Sequence, residues 1–255
     1  RPGADGIIGA DAAAKSPPDG YTLLIISVSY AMNAALHKLP YDPVKSFAPI
    51  AQIGHGPSVL AVTPSLPVNS VKQLIALARA RPGQLRYASS GIGGVNHFSA
   101  ELFKLATKTD IVHVPYKGGG PAMIDVMSGQ VELHFNALVS ALTHVRSGKL
   151  KALGVASLKR SPVLPDVPPI AEAGVPGFEV GSWQGLFFPA GVNPAIVNKL
   201  NTEVRRILAL EDIRSRVSGM GAEVATTTPE QFVEFIRAEL AKWPKVVAAA
   251  KIKAD

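Results

Sequence analysis

The chain has 255 residues, 47% hydrophobic and 18% charged, with a net charge of +7 and no cysteine. That composition excludes a disordered chain, a disulfide scaffold and thiolate chemistry, and the length suits one large or two smaller domains. The positive charge is dispersed, no nucleic-acid module is recognisable, and no apolar run reaches the roughly 18 residues of a membrane helix.

Residues 1–6, rich in proline and glycine, read as a turn. An alanine-rich helix over 7–15 follows and is stopped by Pro17, Pro18, Asp19 and Gly20. The near-continuous apolar run 21–27 predicts a strand buried on both faces of a parallel sheet. Ser27, Ser29, Tyr30 and Asn33 come after it, at the edge where open α/β sheets bind ligands. They read equally well as turn formers and a helix cap. After a turn at Tyr41-Asp42-Pro43, strands over 47–53 and 59–62 flank a Gly54-His55-Gly56-Pro57 loop, in which His55 has no acidic or histidine neighbour.

Residues 64–67 look like a crossover into a second domain. Ser70 then opens a helix, with Gln73 as its capping-box partner and Arg81-Pro82-Gly83 at its end. Two strand–loop–helix units follow. The first has a strand over 85–89, the loop Ser90-Gly91-Ile92-Gly93-Gly94 and a helix over 95–107. The second has a strand over 111–115, the loop Tyr116-Lys117-Gly118-Gly119-Gly120 and a helix opening at Pro121. A helix start presents free N–H groups and the positive end of a dipole, and glycine lets a ligand approach that backbone. Two such loops in succession point to one carboxylate- or phosphate-sized ligand. Plain strand-to-helix turns are the other reading.

A strand over 131–135 then delivers Asn136, and a helix over 141–147 and a strand over 150–155 come next. Residues 161–176 form a proline-rich connection with one short helix at 170–173, and 181–188, holding Trp183, reads as the return crossover. Asn193 caps a long helix to about residue 210, and Thr228-Pro229-Glu230-Gln231 opens the last one, with a kink expected at Pro244. The pattern describes two α/β domains joined by a two-stranded hinge, with a ligand cleft between them. Domain 1 takes residues 1–62 and 188–255, and domain 2 takes 63–187.

Catalytic and metal motifs are wanting. There is no G-x-S-x-G elbow around Ser89 and Ser90, Asn96 replaces the third glycine of a dinucleotide loop, and Lys117 precedes its glycines where a phosphate-binding P-loop would have it follow. The histidines show no metal-ligand spacing; His97, at a helix start, reads as packing or capping. No catalytic residue, metal or cofactor is expected.

A resemblance rests on several segments taken together and in order. They are Arg1-Pro2-Gly3-Ala4-Asp5-Gly6, Pro18-Asp19-Gly20-Tyr21-Thr22-Leu23, Leu39-Pro40-Tyr41-Asp42-Pro43 and Tyr87-Ala88-Ser89-Ser90-Gly91. His113-Val114-Pro115-Tyr116-Lys117-Gly118-Gly119, Leu164-Pro165-Asp166-Val167-Pro168 and Ala171-Glu172-Ala173-Gly174 complete the set. Across essentially its whole length the chain resembles the substrate-binding proteins of tripartite tricarboxylate transporters, the Bug receptors. The resemblance implies a monomeric, periplasmic, type II-like binding protein that closes on a small organic acid and presents it to membrane permease subunits.

By position it implies a ligand wall made of Ser89, Ser90, Gly91, Gly93 and Gly94 with Tyr116, Lys117, Gly118 and Gly119. Ser29 and Asn33 would face that wall from domain 1, with Asn136 beside it. Asn136 stands where the family often has an aspartate, which implies an acid lacking an amino group. Family members also carry a secretion signal, a first strand and a Pro-Gly-Gly loop ahead of the point where this sequence begins. Two other readings stay open: a small-carboxylate hydrolase using Ser89 or Ser90, and a sensor subunit for the same acids.

Overall fold

The computed structural model describes residues 6–250 and 252, so the turn expected over 1–6 falls almost wholly outside the described residues. In chain order the elements are α1 (Ile7–Ala14), β1 (Leu24–Ser27), α2 (Ser29–Leu36), β2 (Phe47–Val62), α3 (Val71–Ala80) and β3 (Arg86–Ser89). Then come α4 (Val95–Thr107), β4 (Val112–Pro115), α5 (Gly119–Met127), β5 (Leu133–Ala137), α6 (Leu138–Arg146) and β6 (Lys151–Val155). The rest are β7 (Gly181–Pro189), α7 (Pro194–Leu208), α8 (Glu211–Gly219), β8 (Glu223–Val224) and α9 (Pro229–Ala250).

The chain divides into two compact units. The first holds Arg1–His55, Trp183–Ser218 and Glu223–Ala254; the second holds Gly56–Ser182 and Gly219–Ala222. The divisions fall inside β2, earlier than the crossover expected at 64–67, and at the start of β7, within the expected 181–188 crossover.

In the first unit β1 runs antiparallel to β7, from Leu24 opposite Phe187 to Ser27 opposite Gln184. This corrects the expectation of a doubly buried parallel strand: Tyr21 is 93% and Ile25 64% exposed. An apolar run without periodicity says nothing about which neighbours will cover it. Tyr30, Tyr41, Phe47 and Phe187 pack as an aromatic cluster with centroids 5.4–6.2 Å apart. Helix α9 passes unbroken through Pro244, and its Glu239 carboxylate accepts from the indole N–H of both Trp183 (2.9 Å) and Trp243 (3.0 Å).

The expected loop 54–57 is instead the middle of the 16-residue strand β2. Gly54 pairs with Val224 and His55 with Glu223 of β8, and a Cβ on Gly54 would come within 3.3 Å of the Glu223 carbonyl. Glycine here permits a close strand approach. His55 also has an acidic neighbour after all, Glu223 Oε2 at 3.7 Å.

The second unit has a sheet ordered β6-β2-β5-β3-β4, in which β3 is parallel to both β4 and β5. One face, with Leu60, Val62, Tyr87, Leu133 and Phe135, is covered by Leu74 and Ala78 of α3 and by Ala100 and Phe103 of α4. The other face, with Ala61 and Ala88, is covered by Ala122, Met123 and Val126 of α5. Ser70 caps α3 as read from the sequence, accepting from Gln73 N at 3.2 Å, while Gln73 Oε1 accepts from the Asn69 amide at 2.6 Å. The short helix expected at 170–173 is only a turn.

Candidate functional site

Both glycine loops lie in the second unit, at the carboxyl ends of the parallel strands β3 and β4. Helix α4 starts at Val95 as the sequence predicts. Helix α5 starts two residues before Pro121, at Gly119, so Gly119 and Gly120 form its first turn. Proline is still tolerated there, because none of the first N–H groups has an intrahelical acceptor. The loops are laced together by main chain: Tyr116 N donates to Ser89 O and Gly118 N to Ser90 O, both at 3.0 Å. Gly91 (φ +136°), Gly93 (φ +92°) and Gly118 (φ +113°) adopt backbone conformations that other residues rarely tolerate.

The first loop is braced from behind by side chains. Ser89 is 0% exposed, and its hydroxyl lies 2.6 Å from His113 Nε2, 3.0 Å from the Gly91 carbonyl and 3.2 Å from the Gly91 amide. Ser90 donates to Asn96 Oδ1 at 2.8 Å, and the Asn96 amide donates to the Phe135 carbonyl. The Gly93 amide donates to His97 Nδ1 at 3.3 Å. A serine so close to a histidine resembles a nucleophile and its base, but in this structure the hydroxyl is fully enclosed and already held in loop contacts. Ser89 is a brace.

The second loop is open. A Cβ built on Gly118, Gly119 or Gly120 meets nothing within 4 Å, and Lys117 is exposed. Tyr116 does not offer its hydroxyl to the loop; it donates to Asp125 Oδ2 at 2.6 Å, and burial with that carboxylate pushes its pKa up to about 12. Across both loops the N–H groups of Gly94, Val95, Gly119 and Gly120 have no acceptor among the described residues.

Asn136 lies inside β5, one residue short of its end, paired with Val59 of β2. Its neighbours in the same register, His134 opposite Ala61 and Ala88 opposite His134, place Asn136 on the sheet face that α5 covers. Asn136 is 8% exposed and its Nδ2 has no hydrogen-bond partner. Leaving such a donor unpaired costs about 1–3 kcal/mol. His134 is buried on the same face with both ring nitrogens unpartnered, and that burial depresses its pKa to about 4. In the first unit Ser29 opens α2 and its hydroxyl lies 3.1 Å from that of Ser27, while Asn33 is buried in the same helix.

What escapes the sequence are the roles of Asn96 and His113 behind the loop; His97, expected to pack or cap, stacks on His113 and accepts from the Gly93 amide. The register of Tyr87 opposite His113 puts both rings on the α4 face, and only that pairing makes His113 conspicuous. Among the described residues no group of three or more His, Asp or Glu side chains could hold a metal, and no helix is long and apolar enough to cross a membrane.

The two α/β units have the fold of periplasmic binding proteins, as the solved structures they match show. Over residues 1–252 the chain matches the model of the tripartite tricarboxylate transporter family receptor, and it belongs to that family. It is similar to R. palustris Rpa4515 with adipate, at 39% identity and a TM-score of 0.95, covering 99% of this chain and 85% of that one. The periplasmic binding protein BugD is 32% identical with a TM-score of 0.92, covering 99% and 86%. MatC from Rhodopseudomonas palustris, with bound malate, is 36% identical with a TM-score of 0.89, covering 96% and 85%.

Proposed function

We propose that the chain is a periplasmic receptor that binds a small organic acid through the two glycine loops and hands it to a tripartite tricarboxylate-type permease. The observation that carries this reading is the pair of adjacent helix starts whose N–H groups lack acceptors. The adipate and malate held by similar proteins supply the ligand class. In this reading Gly91, Gly93, Gly94, Gly118 and Gly119 give main-chain approach, and Asn136 gives its unpaired amide to a hydroxyl or second carboxyl. As a neutral group, Asn136 cannot balance an ammonium, and burying one unpaired is costly. The preferred ligands are therefore acids without an α-amino group. Ser29 and Asn33 are proposed as further ligand contacts.

Calorimetric titration with adipate, malate, succinate and aspartate tests this. The expected result is saturable binding of at least one of the first three acids, weaker binding of aspartate, and recovery of the acid unchanged. Absence of binding to all four, or conversion of the acid, overturns the reading. Delivery is tested by uptake of the labelled acid into cells with and without the receptor.

A further inference from the structure

Behind the first loop, three rings stack across two strands and a helix. His97 of α4 lies 4.3 Å from His113 of β4 with planes 7° apart, and His113 lies 4.6 Å from Tyr87 of β3 at 11°. The Tyr87 hydroxyl donates to Glu101 Oε1 at 2.6 Å, and Lys104 Nζ reaches the same oxygen at 2.7 Å. Each histidine bears on one loop amide. Gly93 N–H donates to His97 Nδ1, an arrangement that requires that nitrogen to carry no proton. Gly91 N–H donates to Ser89 Oγ, whose single hydrogen goes to His113 Nε2 or to the Gly91 carbonyl, depending on the proton of His113.

We propose that His97 and His113 are positioning residues of the first glycine loop: His97, unprotonated at Nδ1, holds the Gly93 amide, and His113 holds the Ser89 hydroxyl that accepts from the Gly91 amide. Protonation of His97 at Nδ1 turns an acceptor into a donor facing the Gly93 N–H, so that contact is lost. Two cations stacked at this distance repel, so the pair accepts protons one at a time. The charged groups facing the pair pull in opposite directions. Glu101 favours the proton, Lys104 opposes it, and burial together with the neighbouring His97 dominates, depressing His113 to about 4. Loss of the acceptor at His97 Nδ1 therefore loosens the loop at Gly93.

The inference depends on the carboxylate-receptor reading only for its ligand, so two readouts are needed. The first is ligand-free: amide resonances of Gly91 and Gly93 followed by nuclear magnetic resonance from pH 8 to pH 4. They should shift with the same midpoints as the imidazole signals, and His97→Leu should abolish the Gly93 response. Amides silent through both imidazole titrations overturn the proposal, whatever the protein binds.

The second readout is adipate and malate affinity of wild type, His97→Leu and His97→Gln at pH 7.5 and pH 5.5, compared as ratios so that the ligand's own protonation cancels. His97→Leu should weaken binding about tenfold at pH 7.5, where His97→Gln, which keeps an acceptor, should weaken it far less. The loss in His97→Leu relative to wild type should shrink wherever the His97 imidazole signals report a protonated ring. Equal affinities for all three proteins at both pH values also overturn the proposal. Responsive amides in a wild type that binds neither acid would uphold the positioning role and sink the function proposed above.

Discussion

The two glycine loops look alike in sequence and are held in different ways. Ser90–Gly94 is fixed from behind by side chains of β3, β4 and α4, and two of its glycines have positive φ. The loop 116–120 has one such glycine, main-chain bonds to its neighbour, and open space over three successive glycines. In the proposed function the braced loop fixes where the ligand's charge sits, and the open loop leaves room for the ligand itself. Substitutions in the first should therefore disturb folding and binding together, and those in the second should disturb binding alone.

The sharpest break of that comparison sets Gly119→Val against Gly93→Val. At Gly119 the backbone is helical and a Cβ meets nothing, so the new side chain occupies only the space proposed for the ligand. Adipate or malate affinity should fall more than a hundredfold, with thermal unfolding changed by no more than about 0.5 kcal/mol. At Gly93, with φ +92°, binding should be lost and stability should fall by about 1–2 kcal/mol. Unchanged affinity in folded Gly119→Val would remove the second loop from the site.

Next in size is Asn136→Asp. A carboxylate at a position 8% exposed would face a dianionic ligand, so affinity for adipate or succinate should fall about tenfold to a hundredfold. Affinity for aspartate should fall less or rise. If titration shows both ligands weakened equally, Asn136 does not read the ligand and its unpaired amide needs another partner.

His134 extends the comparison to the sheet beneath the loops. Its folded pKa of about 4 lies below the ordinary value of 6.5, so the unfolded chain binds more protons between these limits. The stability that His134 allows at neutral pH is therefore lost as pH falls from about 6.5 to 4, by an amount on the order of 1–3 kcal/mol. His113 adds a loss of the same sign, lessened by its partial exposure. Chemical denaturation of His134→Leu should show a flatter stability profile over that range. An unchanged slope would mean that His134 carries a proton when folded.

Much of the fold was legible because its rules are local. The Ser70–Gln73 and Thr228–Gln231 caps and the Asn193 cap ahead of Pro194 stand where the sequence placed them. What escaped depended on distant partners. β2 runs on through Gly54 and His55 because β8 pairs there about 170 residues later in the chain, and β1 pairs antiparallel with the distant β7 with Ile25 left exposed. Helix α8 has no buried residue, and its short apolar stripe, Ile213 and Val217, is only half-buried. In the candidate site the loops were visible as glycine punctuation. The brace was not, because Ser89, His97 and His113 meet only when β3, β4 and α4 pack.

The smallest effect decides what Ser90 does. The sequence reading made it a ligand contact, but its hydroxyl donates to Asn96 Oδ1, and Asn96 in turn holds the Phe135 carbonyl. Ser90→Ala removes one neutral hydrogen bond next to a buried acceptor, which costs about 1 kcal/mol. If Ser90 braces the loop, unfolding free energy should drop by about that much, and affinity should fall no more than about fivefold, alike for adipate and malate. If Ser90 touches the ligand, stability should stay put and the two acids should respond unequally, because they differ in length and in the hydroxyl that malate carries. Paired unfolding and titration curves on this one variant separate the two roles, since a brace moves the first measurement and a contact only the second.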